Sequence, residues 1–226
     1  MTRYTAIISF IIGIPVFVLL GSLILQNAHD SGGKNVPSDW SYVKHELKPE
    51  VDIEIQSTGV GALDGWIQHR VDNIYGEYLQ NTSDIGIEEW QTPVLRIRAN
   101  SSQWNGYTNI VLDVYEYTGG AHGYPFVETA VADTERGVIV GLGDVFGFDN
   151  FLNKLSRLML RKVSDLHEVF EAEIIRDALS PQATNFERWT VGPDGVTFLY
   201  NPYEIAAFSV GIVPVTITWE EIQELQ

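Results

Sequence analysis

Apolar and polar residues alternate along the first clearly structured stretch of this chain: Val51, Ile53 and Ile55 are interleaved with Asp52, Glu54 and Gln56. A period of two predicts a strand with one face buried. The repeat then changes to Ile67, Val71, Ile74 and Tyr78, spaced i, i+4, i+7 and i+11. That stripe predicts an amphipathic helix from Asp64 to about Leu79. Strands are expected next over residues 94–99, 108–117 and 125–133, the first alternating Leu95, Ile97 and Ala99 with Arg96 and Arg98. A turn at "DTERG" and a short strand over 138–140 complete an antiparallel meander.

In the second half, Leu152, Leu155, Met159 and Val163 fall on one helical face, with Asp149 placed to cap it. A further helix is expected near 166–179, ended by Pro181. "WTVGPDGVTFLY" reads as a hairpin turning at Pro193-Asp194-Gly195, with Val196, Phe198 and Tyr200 along one side. A last strand over 213–217 runs into Thr218-x-x-Glu221, a capping box that opens a short terminal helix. Strands and helices are grouped instead of alternating. The expected class is α+β, with antiparallel sheets packed against a few helices.

Ahead of all this, residues 7–25 carry no charged side chain. As a helix such a run spans roughly 28 Å, close to the hydrocarbon thickness of a bilayer. It is longer than the apolar core of a cleaved signal peptide, so an uncleaved transmembrane signal anchor is expected over 1–26. The lone flanking cation, Arg3, keeps the short N-terminal tail in the cytoplasm. The rest of the chain then lies outside the cytoplasmic membrane, in the periplasm. Residues 27–49, beginning "NAHDSGGKNVPSDW", read as a tether, and residues 50–226 as the extracytoplasmic domain.

Composition narrows the chemistry. The chain has 14 basic and 30 acidic residues, a net charge of −16. Setting aside residues 1–26 removes only Arg3 and leaves −17 for the rest. Such a surface repels nucleic acid and anionic lipid and attracts cationic partners. The absence of cysteine excludes disulfides, zinc–thiolate sites and thiol catalysis. No phosphate-binding loop, nucleophile elbow or His-Glu-x-x-His is present. His29, His45, His69, His122 and His167 stand at no spacing that pairs two of them on one metal, so neither metal nor cofactor is expected. Acidic pairs such as Glu88 with Glu89, Asp113 with Glu116 and Glu220 with Glu221 read first as solvated charge.

One knot stands apart. In "YEYTGGAHGYPFVETAVADTERG" a histidine sits among glycines between two strands. Gly119, Gly120 and Gly123 give the backbone access to positive φ, as a hairpin connection demands. His122 either fixes that loop through a backbone carbonyl or faces a ligand in a patch with Tyr117, Tyr124 and Tyr203. A catalytic role needs a nucleophile or orienting acid that the sequence does not name.

Around this knot the chain resembles the RsiV-like and PdaC-like extracytoplasmic domains, of the DUF3298 type. The matching features are Tyr117, Gly119 to Gly123, the acidic turn from Asp133 to Gly137, and the Leu142 to Phe146 entry to a helix. "NPYEIAAFSVGIVPVTITWEEIQEL" resembles the family as well, with Ala207 and Trp219 where prolines are frequent. The resemblance implies a membrane-tethered α+β domain. In RsiV-like members it senses lysozyme, a cationic enzyme; in PdaC-like members it accompanies a separate peptidoglycan deacetylase domain. The resemblance therefore points to a binding or sensing module for a lysozyme-like protein or a peptidoglycan fragment. An enzyme acting on wall carbohydrate and a purely structural envelope protein are the alternatives.

Overall fold

The computed structural model describes residues 41–47, 49–83, 92–166 and 169–226, with side chains from residue 49 onward. The apolar run over 7–25, His29, His167 and the Glu88–Glu89 pair lie outside the described residues, as does the side chain of His45. Among the described residues no helix is long and apolar enough to cross a membrane.

A six-stranded sheet runs in the order β1 (Ser41–Leu47), β2 (Glu50–Gln56), β3 (Val94–Trp104), β4 (Tyr107–Tyr117), β5 (Tyr124–Asp133) and β6 (Val138–Ile139). It begins at Ser41, inside the span read as a tether. Helix α1 (Gly61–Thr82) connects β2 to β3, and those two strands are parallel. The sheet is therefore mixed, where an antiparallel one was expected: a long helical crossover returns the chain to the same end of the sheet. From β3 to β6 the meander is antiparallel as the sequence suggests. Its first turn, Asn105-Gly106, has positive φ at both residues, the form whose twist matches the flanking strands.

The helical stripe foreseen in the sequence lies against the sheet. Leu63, Ile67, Val71, Ile74 and Tyr78 of α1 are buried, together with Val51, Ile53, Leu95, Ile97, Ile110, Leu112 and Val114 of the strands. Asp64 secures the start of α1, accepting hydrogen bonds from the Ser57 hydroxyl (2.7 Å), the Thr58 amide (2.7 Å) and the Thr58 hydroxyl (2.8 Å). A carboxylate in the first turn also complements the helix dipole.

A second sheet, β7 (Trp189–Gly192), β8 (Gly195–Tyr200) and β9 (Val213–Thr218), is antiparallel throughout. It shares a core with α2 (Leu142–Phe146), α3 (Phe151–Ser164), α4 (Ala172–Ala178) and α5 (Trp219–Glu224), built on Phe146, Leu155, Met159, Val163, Phe186, Phe198 and Ile217. Two local expectations change here. The residue preceding α3 is Asn150, in a left-handed conformation (φ 59°), so Asp149 is not the cap. The helix expected from Leu166 is confined to α4, because Val169 bridges Ala206 and the Phe170 amide bonds to the Ile205 carbonyl at 2.9 Å. Backbone groups satisfied by a remote segment do not continue a helix.

The sheets are joined by side chains imitating backbone. Asn109 of β4, on the face opposite α1, accepts from the Val191 amide (2.8 Å) and donates to its carbonyl (3.0 Å). Asn201, just after β8, does the same to Val127 of β5 at 2.9 and 3.4 Å. Thr129 adds a third tie, its hydroxyl accepting from the Trp189 amide at 2.8 Å.

The capping box of α5 is present as expected, and Lys162 of α3 binds its Glu221 at 2.6 and 2.7 Å. Partial burial opposes ionisation of Glu221, but Lys162 and the Thr218 amide outweigh it and hold the carboxyl below its ordinary value of 4.5. A depressed folded-state value contributes stability that is present above the unfolded value and lost as pH falls through the folded one. Acid titration from pH 5 downward is therefore expected to weaken the α3–α5 contact, and Glu221→Gln to flatten that part of the stability profile, measured by denaturant unfolding at each pH.

Candidate functional site

The β4–β5 connection meets the chain leaving β8. Of the three glycines read as turn formers, Gly119 takes positive φ (101°). Gly123 serves differently: a Cβ there would fall 2.2 Å from the Tyr115 ring, which lies against it. Gly120 shows neither constraint. The glycine knot is thus part turn and part close approach.

His122 both fixes its loop and faces outward. Its Nδ1 lies 3.0 Å from the carbonyl of Gly123, while its ring packs on Phe208 at 4.0 Å between centroids. Tyr203 packs on the same Phe208 at 5.7 Å. Tyr124 donates its hydroxyl hydrogen to the Pro202 carbonyl at 3.2 Å, closing the hairpin onto the second loop. The structure thereby gathers His122, Tyr124 and Tyr203. Tyr117 pairs with Val94 across the β3–β4 ladder and makes no ring contact with the other three.

Tyr203 is the unusual member. It is 55% exposed and holds φ at 71°, a left-handed conformation that a non-glycine residue adopts at a cost of about 1–2 kcal/mol. Its surroundings hold it there. The Tyr203 amide donates to the Ala206 carbonyl (3.0 Å), the Glu204 amide to the Asn201 carbonyl (3.1 Å), and the Asn201 amide to the Glu204 carboxylate (2.8 Å). Arg188 pairs with the same carboxylate and reaches the Leu199 carbonyl at 3.3 Å.

Two phenols in this region are shifted upward. Burial, then the charge on Glu204, pushes the Tyr124 phenol up, and burial pushes Tyr200 much further. Both remain neutral at physiological pH. Tyr200 is 3% exposed, and its hydroxyl makes no hydrogen bond among the described groups.

The acidic pairs do not converge. Asp113 and Glu116 point to opposite faces of β4, since alternate residues do. Asp113 accepts from Asn100 on the open face. Burial raises the Glu116 carboxyl on the helix side, with Glu77 adding and an Asn81 hydrogen bond opposing. Glu221 is engaged in its capping box. Sequence reasoning passed over Phe208, the ring on which His122 and Tyr203 meet; "AFSVG" carries no periodic signal, and only the folded contact reveals it.

Three comparisons bear on this chain. Residues 144–220 match the family model described as Protein of unknown function (DUF3298). A DUF3298 family protein from Pseudomonas aeruginosa superimposes with a TM-score of 0.56 at 20% identity, covering 81% of this chain and 91% of that one. A member from Bacteroides fragilis gives 0.52 at 18%, covering 82% and 90%. In sequence, the peptidoglycan-N-acetylmuramic acid deacetylase PdaC of Bacillus subtilis is 26% identical over 104 residues, 45% of this chain but 22% of that protein. The chain thus spans about a fifth of the curated relative it matches. Residues 144–220, which hold the second sheet and the start of its terminal helix, are thus similar to DUF3298, and the chain shares its fold with solved members of that family.

Proposed function

We propose that this protein is a membrane-anchored extracytoplasmic module of the cell envelope that binds or senses a ligand without transforming it. The single observation that carries the reading is Tyr203, an exposed aromatic ring held in a strained conformation by the hydrogen bonds of its loop and packed on Phe208, which His122 also contacts. Strain maintained at an exposed ring is the mark of a presented surface, because a turn alone is better served by glycine. The contact of its Nδ1 with the Gly123 carbonyl fixes the His122 ring within its loop. The name of the Bacillus relative places that protein's own activity on peptidoglycan, and the net charge of −16 here suits a cationic partner such as lysozyme. Both ligands follow from the reading.

Calorimetric titration of the full chain with lysozyme and with soluble peptidoglycan fragments, at low and moderate salt, tests it. Binding of at least one is expected, weakened by His122→Ala. Silence with both ligands overturns the binding role, and release of products from peptidoglycan overturns the claim that the chain leaves its ligand intact, with its loss in His122→Ala assigning the chemistry to His122.

A further inference from the structure

Resting on that binding reading, we propose that Tyr203, backed by Phe208 and His122, offers a stacking surface for the face of a pyranose ring in an uncharged glycan. The first ground is the packing itself. His122 packs on Phe208 at 4.0 Å and Tyr203 at 5.7 Å, with interplanar angles of 31° and 32°, so the three rings form one packed group that leaves Tyr203 55% exposed. A pyranose presents axial C–H groups with partial positive charge on one face, and an aromatic face carries the complementary negative quadrupole.

The second ground is charge. A cationic side chain seated on rings gains most where an unpaired carboxylate stands beside it. Glu204, the carboxylate felt by Tyr124, is already engaged by Arg188 and the Asn201 amide. The site therefore offers a cation its rings and little else. An anionic ligand meets a chain of net charge −16. An uncharged ligand meets no repulsion and needs no free carboxylate beside the rings.

The third ground is rigidity. The Tyr203–Ala206 and Asn201–Glu204 hydrogen bonds set the loop before any ligand arrives, and the Tyr124–Pro202 bond pins the hairpin carrying His122 to it. A platform already ordered loses little conformational entropy on binding.

The test uses the full chain in a detergent without a sugar headgroup. The probes are the uncharged N-acetylglucosamine tetramer, its cationic de-N-acetylated counterpart, and lysozyme. Expected is binding of the N-acetylated tetramer in preference to the cationic one, with Tyr203→Gly weakening it about tenfold, equivalent to about 1.4 kcal/mol. Tyr203→Phe keeps the ring and is expected to stay within about twofold of the native chain. Because φ at 203 suits glycine, Tyr203→Gly should melt no lower than the native protein. Should it melt lower, the His122 ring-proton shifts of the native chain, followed by NMR as tetramer is added, give the answer without a variant.

No tetramer binding, or binding indifferent to Tyr203→Gly with unmoved His122 shifts, overturns the glycan inference. If lysozyme binds in a ring-dependent way while the tetramer does not, the binding module stands and its ligand is a protein. If neither the tetramer nor lysozyme binds, both readings fall.

Discussion

Gly195→Ala is expected to abolish the β8–β9 pairing. Gly195 holds φ at 149°, and a Cβ there would lie 2.0 Å from the Ile217 carbonyl oxygen and 2.8 Å from both the Ile217 carbonyl carbon and the Thr218 Cα. These are backbone atoms of the paired strand, so no side-chain rotation relieves the overlap. Separation of the strands would strip the ladder from Gly195↔Thr218 inward and loosen the α5 capping box that Thr218 begins. Backbone strain alone amounts to about 1–3 kcal/mol, and the lost pairing and packing bring the expected destabilisation above about 4 kcal/mol, near the whole stability of many domains. Denaturant unfolding should show a large fall in midpoint, or failure to fold. A native-like midpoint would mean that the two strands are not held as tightly as described.

Asn109→Leu carries the second largest expected effect. The side chain is 1% exposed and satisfies both the amide and the carbonyl of Val191. Leucine fills similar space but leaves two buried backbone groups unpaired, each worth about 1–3 kcal/mol. A loss of about 2–5 kcal/mol is expected, and amide hydrogen exchange at Val191 should accelerate more than at Val196, whose pairing lies within the second sheet. Equal acceleration at both positions would show global destabilisation and not release of this tie. Asn109→Asp is a sharper control, since it keeps the acceptor for the Val191 amide and removes the donor to its carbonyl.

The resemblance to solved DUF3298 proteins extends over four fifths of the chain, while the family model covers 144–220. The six-stranded sheet precedes that segment and the smaller sheet lies within it. Asn109, Asn201 and Thr129 are thus among the residues through which the matched segment is fastened to the rest of the fold. They explain how one loop after β8 and one hairpin of the large sheet come to share an aromatic surface.

Local physics was legible from the residues. Alternation marked β2 to β5, the 3.6-residue stripe marked α1 and α3, and Thr218-x-x-Glu221 marked the start of α5, because each depends on side chains close in sequence. The glycine-histidine loop was legible for the same reason. What only the tertiary structure decided depends on partners distant in the chain. The parallel β2–β3 pairing follows from a crossover and not from alternation, which looks alike in either direction. Segment 166–171 leaves its apolar pattern unhelical because residues 205 and 206 claim its backbone. Asn109 and Asn201 read as ordinary polar residues until the fold buries them against backbone. Phe208 and the left-handed Tyr203 gain meaning only where two loops about eighty residues apart meet beside His122, since a ring's neighbours are set by topology and a residue's φ by the hydrogen bonds around it.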